Sequence, residues 1–80
     1  MKYFEEIENV LSADLSFDNF VEALEFVNQC GELFEQHKHH GDISIFDYAR
    51  VNIMLTTHEA GNTVTEKDTK LASEIENIIG

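Results

Sequence analysis

The apolar positions change period along the chain, and each change marks a boundary between elements. Leu11, Ala13, Leu15 and Phe17 alternate with Ser12, Asp14 and Ser16. A repeat of two puts successive side chains on opposite faces, so this stretch predicts a strand with one apolar face. From Asp18 the repeat lengthens. Phe20, Leu24, Val27, Gly31 and Phe34 recur three or four residues apart, the spacing that lines one face of a helix. Ala23, Phe26, Cys30 and Leu33 form a second stripe beside the first. A helix apolar over so wide an arc is expected to cover a sheet and keep surface for a subunit interface; a broad single-core face is the alternative. Ser16 or Asp18 suits its N-cap. Gly31 implies close backbone packing, because glycine inside a helix costs about 1 kcal/mol relative to alanine. The helix is predicted to stop near His39-His40-Gly41, with Gly41 as a left-handed cap.

Beyond that stop, Ile43 to Tyr48 predicts a short strand. Arg50 to Thr57 predicts a clearer one, with Val51, Ile53 and Leu55 facing one way and Asn52, Met54 and Thr56 the other. Glu59-Ala60-Gly61-Asn62-Thr63 is a loop. Thr65-Glu66-Lys67-Asp68 has the form of a capping box, with Asp68 in the reciprocating position. A last helix follows, its core face drawn from Leu71, Ala72, Ile75, Ile78 and Ile79. The segment from Met1 to Asn9 fits a helix or a short strand equally. The expected order is β-β-α-β-β-α, an α+β domain in which helices pack on one face of a four-stranded antiparallel sheet. Nothing in the chain marks a linker, a repeat or a low-complexity stretch, so residues 1–80 are read as one domain.

Charge narrows the partners. Five basic against sixteen acidic residues give a net charge of −11 and an isoelectric point near 4.4. Such a chain repels nucleic acid and anionic lipid. No apolar run approaches the roughly 20 residues of a membrane span, and the first residues lack the apolar stretch of a signal peptide. A cytoplasmic protein is expected. The single cysteine, Cys30, excludes an internal disulfide and lies within the helical pattern, where a small buried apolar side chain is expected.

The candidate chemistry is histidine. Three of the four histidines stand within Gln36-His37-Lys38-His39-His40, and the fourth, His58, closes the Arg50–Thr57 strand. His37 and His40, three apart, offer a metal-chelating pair, though no cysteine-rich or His-Glu-x-x-His framework accompanies them. A solvated helix end is the plain alternative, since charged imidazole favours the C-terminal dipole. General acid–base catalysis is the third reading, because imidazole exchanges protons near neutral pH. Glu35, four residues before His39, is expected to share its helix face and steady its ring. Residue chemistry alone leaves these three open.

Taken together, Glu35-Gln36-His37-Lys38-His39-His40, Tyr48, Leu55-Thr56-Thr57-His58-Glu59 and Thr65-Glu66-Lys67-Asp68 with Leu71-Ala72-Ser73-Glu74-Ile75 resemble the pattern of the pterin-4a-carbinolamine dehydratase family. The resemblance runs from about Leu11 to Ile78. It implies an α+β fold whose long helix, here 18–39, makes a homodimer or homotetramer. It implies removal of water from 4a-hydroxytetrahydropterin to give quinonoid dihydropterin, with no metal and no organic cofactor. By position, His39 and His58 would be the acid–base pair, His40 would contact the pterin and Glu35 would orient the imidazoles. Tyr48, Thr57 and Asp68 would line the substrate pocket. The chain departs from the pattern in having Gly41 and Ile43 or Ile45 in place of a proline and a tryptophan, and Lys38 in place of an acidic residue. One extra residue precedes Tyr48 and another follows His58, and the family's first helix is expected to be missing. A non-catalytic dimerisation or cofactor module of the same fold is the alternative function.

Overall fold

A computed structural model describes all residues, Met1–Gly80. The chain folds in the order β1 (Glu5–Ile7), β2 (Val10–Ser16), α1 (Phe20–His37), β3 (Asp42–Phe46), β4 (Arg50–Leu55), a 3-10 turn (His58–Ala60) and α2 (Glu66–Ile79). The sheet is antiparallel with strand order β1-β2-β4-β3, so the two long strands are central and the short ones are edges. The α+β class and element order are those expected.

The β1–β2 hairpin resolves the ambiguous start of the chain. Glu8 and Asn9 both take positive φ, 51° and 67°. Two residues of that kind match the right-handed twist of the flanking strands and close a two-residue hairpin. The chain before it is held by Glu76 of α2, whose Oε2 accepts the N–H groups of Tyr3 at 2.6 Å and Phe4 at 3.1 Å. Burial pushes the Glu76 carboxyl up, but those backbone donors and the nearby amino terminus outweigh it and hold the group below the usual range.

The period-two pattern sets the inner face as predicted. Leu11, Ala13 and Leu15 of β2 and Val51, Ile53 and Leu55 of β4 are all buried. They meet Ala23, Phe26, Cys30 and Phe34 of α1 and Leu71, Ala72 and Ile75 of α2 in one core. Ile78, expected on that face, is instead exposed. Burial pushes the Cys30 thiol up to about 12, which leaves it an apolar filler.

Three details of α1 correct the sequence expectations. Its N-cap is Asn19, whose Oδ1 accepts the Glu22 N–H at 2.9 Å. Ser16 is still paired with Arg50, and Phe17 N–H still donates to Ala49, so neither Ser16 nor Asp18 stands at the helix start. The left-handed C-cap is Lys38 (φ 51°), with Lys38 and His39 N–H returning to Glu35 and Phe34 carbonyls. Gly41 does not take a positive φ; its role is close approach, because a Cβ there would lie 2.3 Å from Leu55 Cδ2 and 2.8 Å from the Met54 carbonyl oxygen. Gly31 has no atom near the place a Cβ would occupy, so packing within the chain does not explain it. The expected wide apolar arc divides along the helix: Phe34 is buried and Val27 half-buried, while Phe20, Val21 and Leu24 face outward.

Candidate functional site

Because β3 pairs with β4 from Asp42↔Met54, the segment 38–41 linking α1 to β3 lies over the end of β4. The absent side chain of Gly41 lets that segment settle against Met54 and Leu55. The chain leaving β4 carries Thr57 and His58, and the start of α2 brings Asp68 to the same place. Three separate elements thus meet at the C-terminal end of β4.

Asp68 is the centre of the arrangement. It is fully buried. Its Oδ1 accepts from His39 Nε2 at 2.5 Å; its Oδ2 accepts from Thr57 Oγ1 at 2.7 Å and from the Thr65 backbone N–H at 2.9 Å. The predicted capping box is present, with Thr65 Oγ1 receiving the Lys67 N–H, so one carboxylate both starts α2 and ties α1 to it. Burial alone would raise the Asp68 carboxyl; the hydrogen bonds from His39, Thr57 and Thr65, together with electrostatic attraction to the His39 ring, outweigh it and hold the group below the usual carboxylate range. Every buried side-chain polar atom has a partner.

The histidines are engaged one by one. His39 is buried on Asp68. Glu35 does not reach it: its carboxylate lies 2.6 Å from Nε2 of His40, and both side chains are exposed. His40 also lies tilted at 40° near the Phe34 ring, 6.2 Å between centroids. His37 pairs with Glu74 on α2 beside a cleft of about 530 Å³ lined by Gln36, His37, Lys70, Ser73 and Glu74. His58 Nδ1–H donates to Asn62 Oδ1 at 2.5 Å in the exposed turn. The side chains gather no group of three or more metal-ligating residues.

Of the other expected pocket residues, Thr57 is buried beside Asp68, and neither has surface to present to a ligand. Tyr48 is not brought to the cluster. It sits, 68% exposed, in the β3–β4 turn at the start of β4; the strand Arg50–Leu55 alone separates the two ends by about 17 Å. Asn62, which the sequence placed only in a loop, joins the site through His58; an asparagine following a glycine signals a turn and not a histidine partner.

Fold and site together define a small α+β domain with one histidine, His39, held on a buried aspartate at the end of a central strand that leads to another, His58. The family model of pterin 4 alpha carbinolamine dehydratase matches residues 4–78, and the chain belongs to that family. A relative from Thermomicrobium roseum that carries the family's name is 52% identical over 59 residues, 74% of this chain and 61% of its own length. One from Picosynechococcus is 40% identical over 73 residues, 91% of this chain and 77% of its own. The chain thus spans less than two thirds of the Thermomicrobium relative. Among solved structures, the transcriptional coactivator/pterin dehydratase from Brucella melitensis superposes with a TM-score of 0.86 at 29% identity, covering 96% of this chain and 82% of that one. A pterin dehydratase-like protein identified as a RuBisCO assembly factor in the alpha-carboxysome shares the fold, with a TM-score of 0.74 at 19% identity over 96% of this chain and 87% of that one.

Proposed function

We propose that the protein is a pterin-4a-carbinolamine dehydratase that removes water from 4a-hydroxytetrahydropterin by histidine acid–base catalysis. The observation that carries this reading is the buried Asp68 carboxylate, whose bond to Nε2 of His39 steadies an imidazole at the strand end bearing His58. With Nε2–H directed at Asp68, the neutral His39 ring has its lone pair on Nδ1. It takes the ring N–H proton. The electrons released push out the 4a-hydroxyl, which leaves as water on accepting a proton from Nε2 of the His58 imidazolium. His40, exposed beside Glu35, is assigned the pterin contact in this proposal. Aspartate and threonine act behind the histidines, and the elimination calls on no metal or organic cofactor.

The test is the dehydration rate of chemically generated 4a-hydroxytetrahydropterin with wild type, His39→Ala and His58→Ala. Acceleration over the spontaneous reaction, lost by about 10²-fold or more in either variant, is expected for general acid–base catalysis. A folded wild type that gives no acceleration overturns the proposal. The second reading, a non-catalytic module of the same fold, would then stand on the outward Phe20, Val21 and Leu24 of α1.

A further inference from the structure

The turn after β4 is closed on itself. Thr57 N–H donates to the Thr63 carbonyl, and the N–H groups of Ala60 and Asn62 both return to the Thr57 carbonyl, at 3.2 and 3.1 Å. Two successive residues, Gly61 (φ 83°) and Asn62 (φ 59°), take the left-handed conformation. Asparagine tolerates that region better than most residues, so the backbone alone offers one reason for its presence. The side chain offers another, since this curl aims Asn62 Oδ1 back at Nδ1 of His58 at 2.5 Å. His58 has no salt bridge to Glu59 beside it, to Glu66 or Lys67 at the start of α2, to Glu35 or His40 across the strand end, or to the Asp68–His39 pair behind Thr57. The amide of Asn62 is its one side-chain partner.

We infer that Asn62 is a positioning residue that holds His58 with its proton on Nδ1 and so presents Nε2 to the substrate. The inference rests on the dehydratase reading and names the device that serves it. An imidazolium that gives up its Nε2 proton becomes the neutral Nδ1–H tautomer. That is the form Asn62 Oδ1 holds, because the hydrogen bond at one ring nitrogen decides which nitrogen keeps the proton. Asn62 therefore keeps its bond to Nδ1–H before and after the transfer, leaves Nε2 as the nitrogen that gives up the proton, and fixes the ring plane throughout.

Two variants separate this role from that of a turn former. Asn62→Gly keeps the left-handed backbone and removes the acceptor; Asn62→Asp keeps both and adds a charge. With the dehydration assay, Asn62→Gly is expected to melt where wild type melts, to keep its KM, and to lose at least about tenfold in kcat, the lower end of what losing an orienting partner costs a histidine site. Asn62→Asp is expected to retain turnover and to carry the alkaline limb of its pH profile upward, because the added carboxylate favours the His58 imidazolium. Nitrogen-15 NMR of the imidazoles reads the tautomer without substrate. Wild type and Asn62→Asp should show His58 as Nδ1–H, and Asn62→Gly should show a mixture. Identical His58 spectra in wild type and Asn62→Gly overturn the inference. So does unchanged kcat in Asn62→Gly of an active enzyme. A wild type that turns over no carbinolamine yet shows the locked tautomer overturns the dehydratase reading and keeps the pairing.

Discussion

Asp68 satisfies three donors from three places in the chain, His39, Thr57 and its own helix start at Thr65. Its removal takes the acceptor from the buried His39 ring and the part-buried Thr65 N–H, and leaves Thr57 Oγ1 with Thr65 Oγ1 alone. Asp68→Ala should therefore cost about 3–5 kcal/mol, at roughly 1–3 kcal/mol for each donor that loses its acceptor, a large part of the roughly 4–12 kcal/mol that a chain of this size possesses. Urea denaturation measures it. Acid should act through the same group. The folded carboxyl lies below its ordinary value and returns to about 3.9 on unfolding, so its contribution is complete above about pH 5 and drains as pH falls through 3.9 toward the folded value. Stability measured against pH should fall across that window in wild type and less steeply in Asp68→Ala. Half of this residue was legible in advance. Thr65-x-x-Asp68 announces a capping box, a local pattern; that the same carboxylate takes His39 from 29 residues away is a tertiary fact with no local sign. The Glu35–His39 expectation failed for a definable reason. The four-residue rule holds only inside a helix, and α1 ends at His37, with Lys38 turning left-handed before His39. The turn swings His39 inward to Asp68 and leaves His40 to Glu35.

Among elements, the alternating strands and the capped α2 followed directly from period and cap chemistry, because each depends on neighbours within a few residues. The misassigned caps lie at junctions, whereas Gly31 and Ile78 were misread inside helices. Gly41 follows a helix, and glycine after a helix reads as a left-handed cap; its actual constraint comes from β4 across the sheet, where Leu55 and the Met54 carbonyl leave no room for a Cβ. Gly41→Ala is thus an overpacking change, expected to cost about 1–3 kcal/mol and to lower Tm by about 4–8 °C for each kcal/mol in a domain of this length. The alternative, a left-handed cap at this position, would make Gly41→Asn nearly neutral, and equal Tm values for Gly41→Asn and wild type would refute the close approach. Because Gly41 adjoins His40, the alanine variant should also lose dehydration rate beyond its loss of stability, read at a temperature where it is fully folded.

For the molecule as a whole, the family and the sheet with its two helices were legible from the motif set, whereas the split of the α1 apolar arc was not. Helical spacing gives a width of arc, and only the position of α2 and the sheet decides which part is covered. The outward part is the basis for self-association through α1, proposed as a homodimer or homotetramer. Leu24→Asp tests it cleanly, since Leu24 is 42% exposed and its charge need not disturb the core. Sedimentation should show a smaller species than wild type with an unchanged far-ultraviolet circular dichroism spectrum; an intact assembly would refute the interface. The clasp between Glu76 and the amides of Tyr3 and Phe4, with Lys2 Nζ 3.3 Å from the Gly80 carbonyl, has a topological consequence. Residues 2 and 80 are neighbours in space, so the domain is a ring lacking one link. A short glycine-serine bridge from Gly80 to Met1, with new ends opened between Asp47 and Tyr48 in the exposed β3–β4 turn, should give a circular permutant that folds to the same sheet.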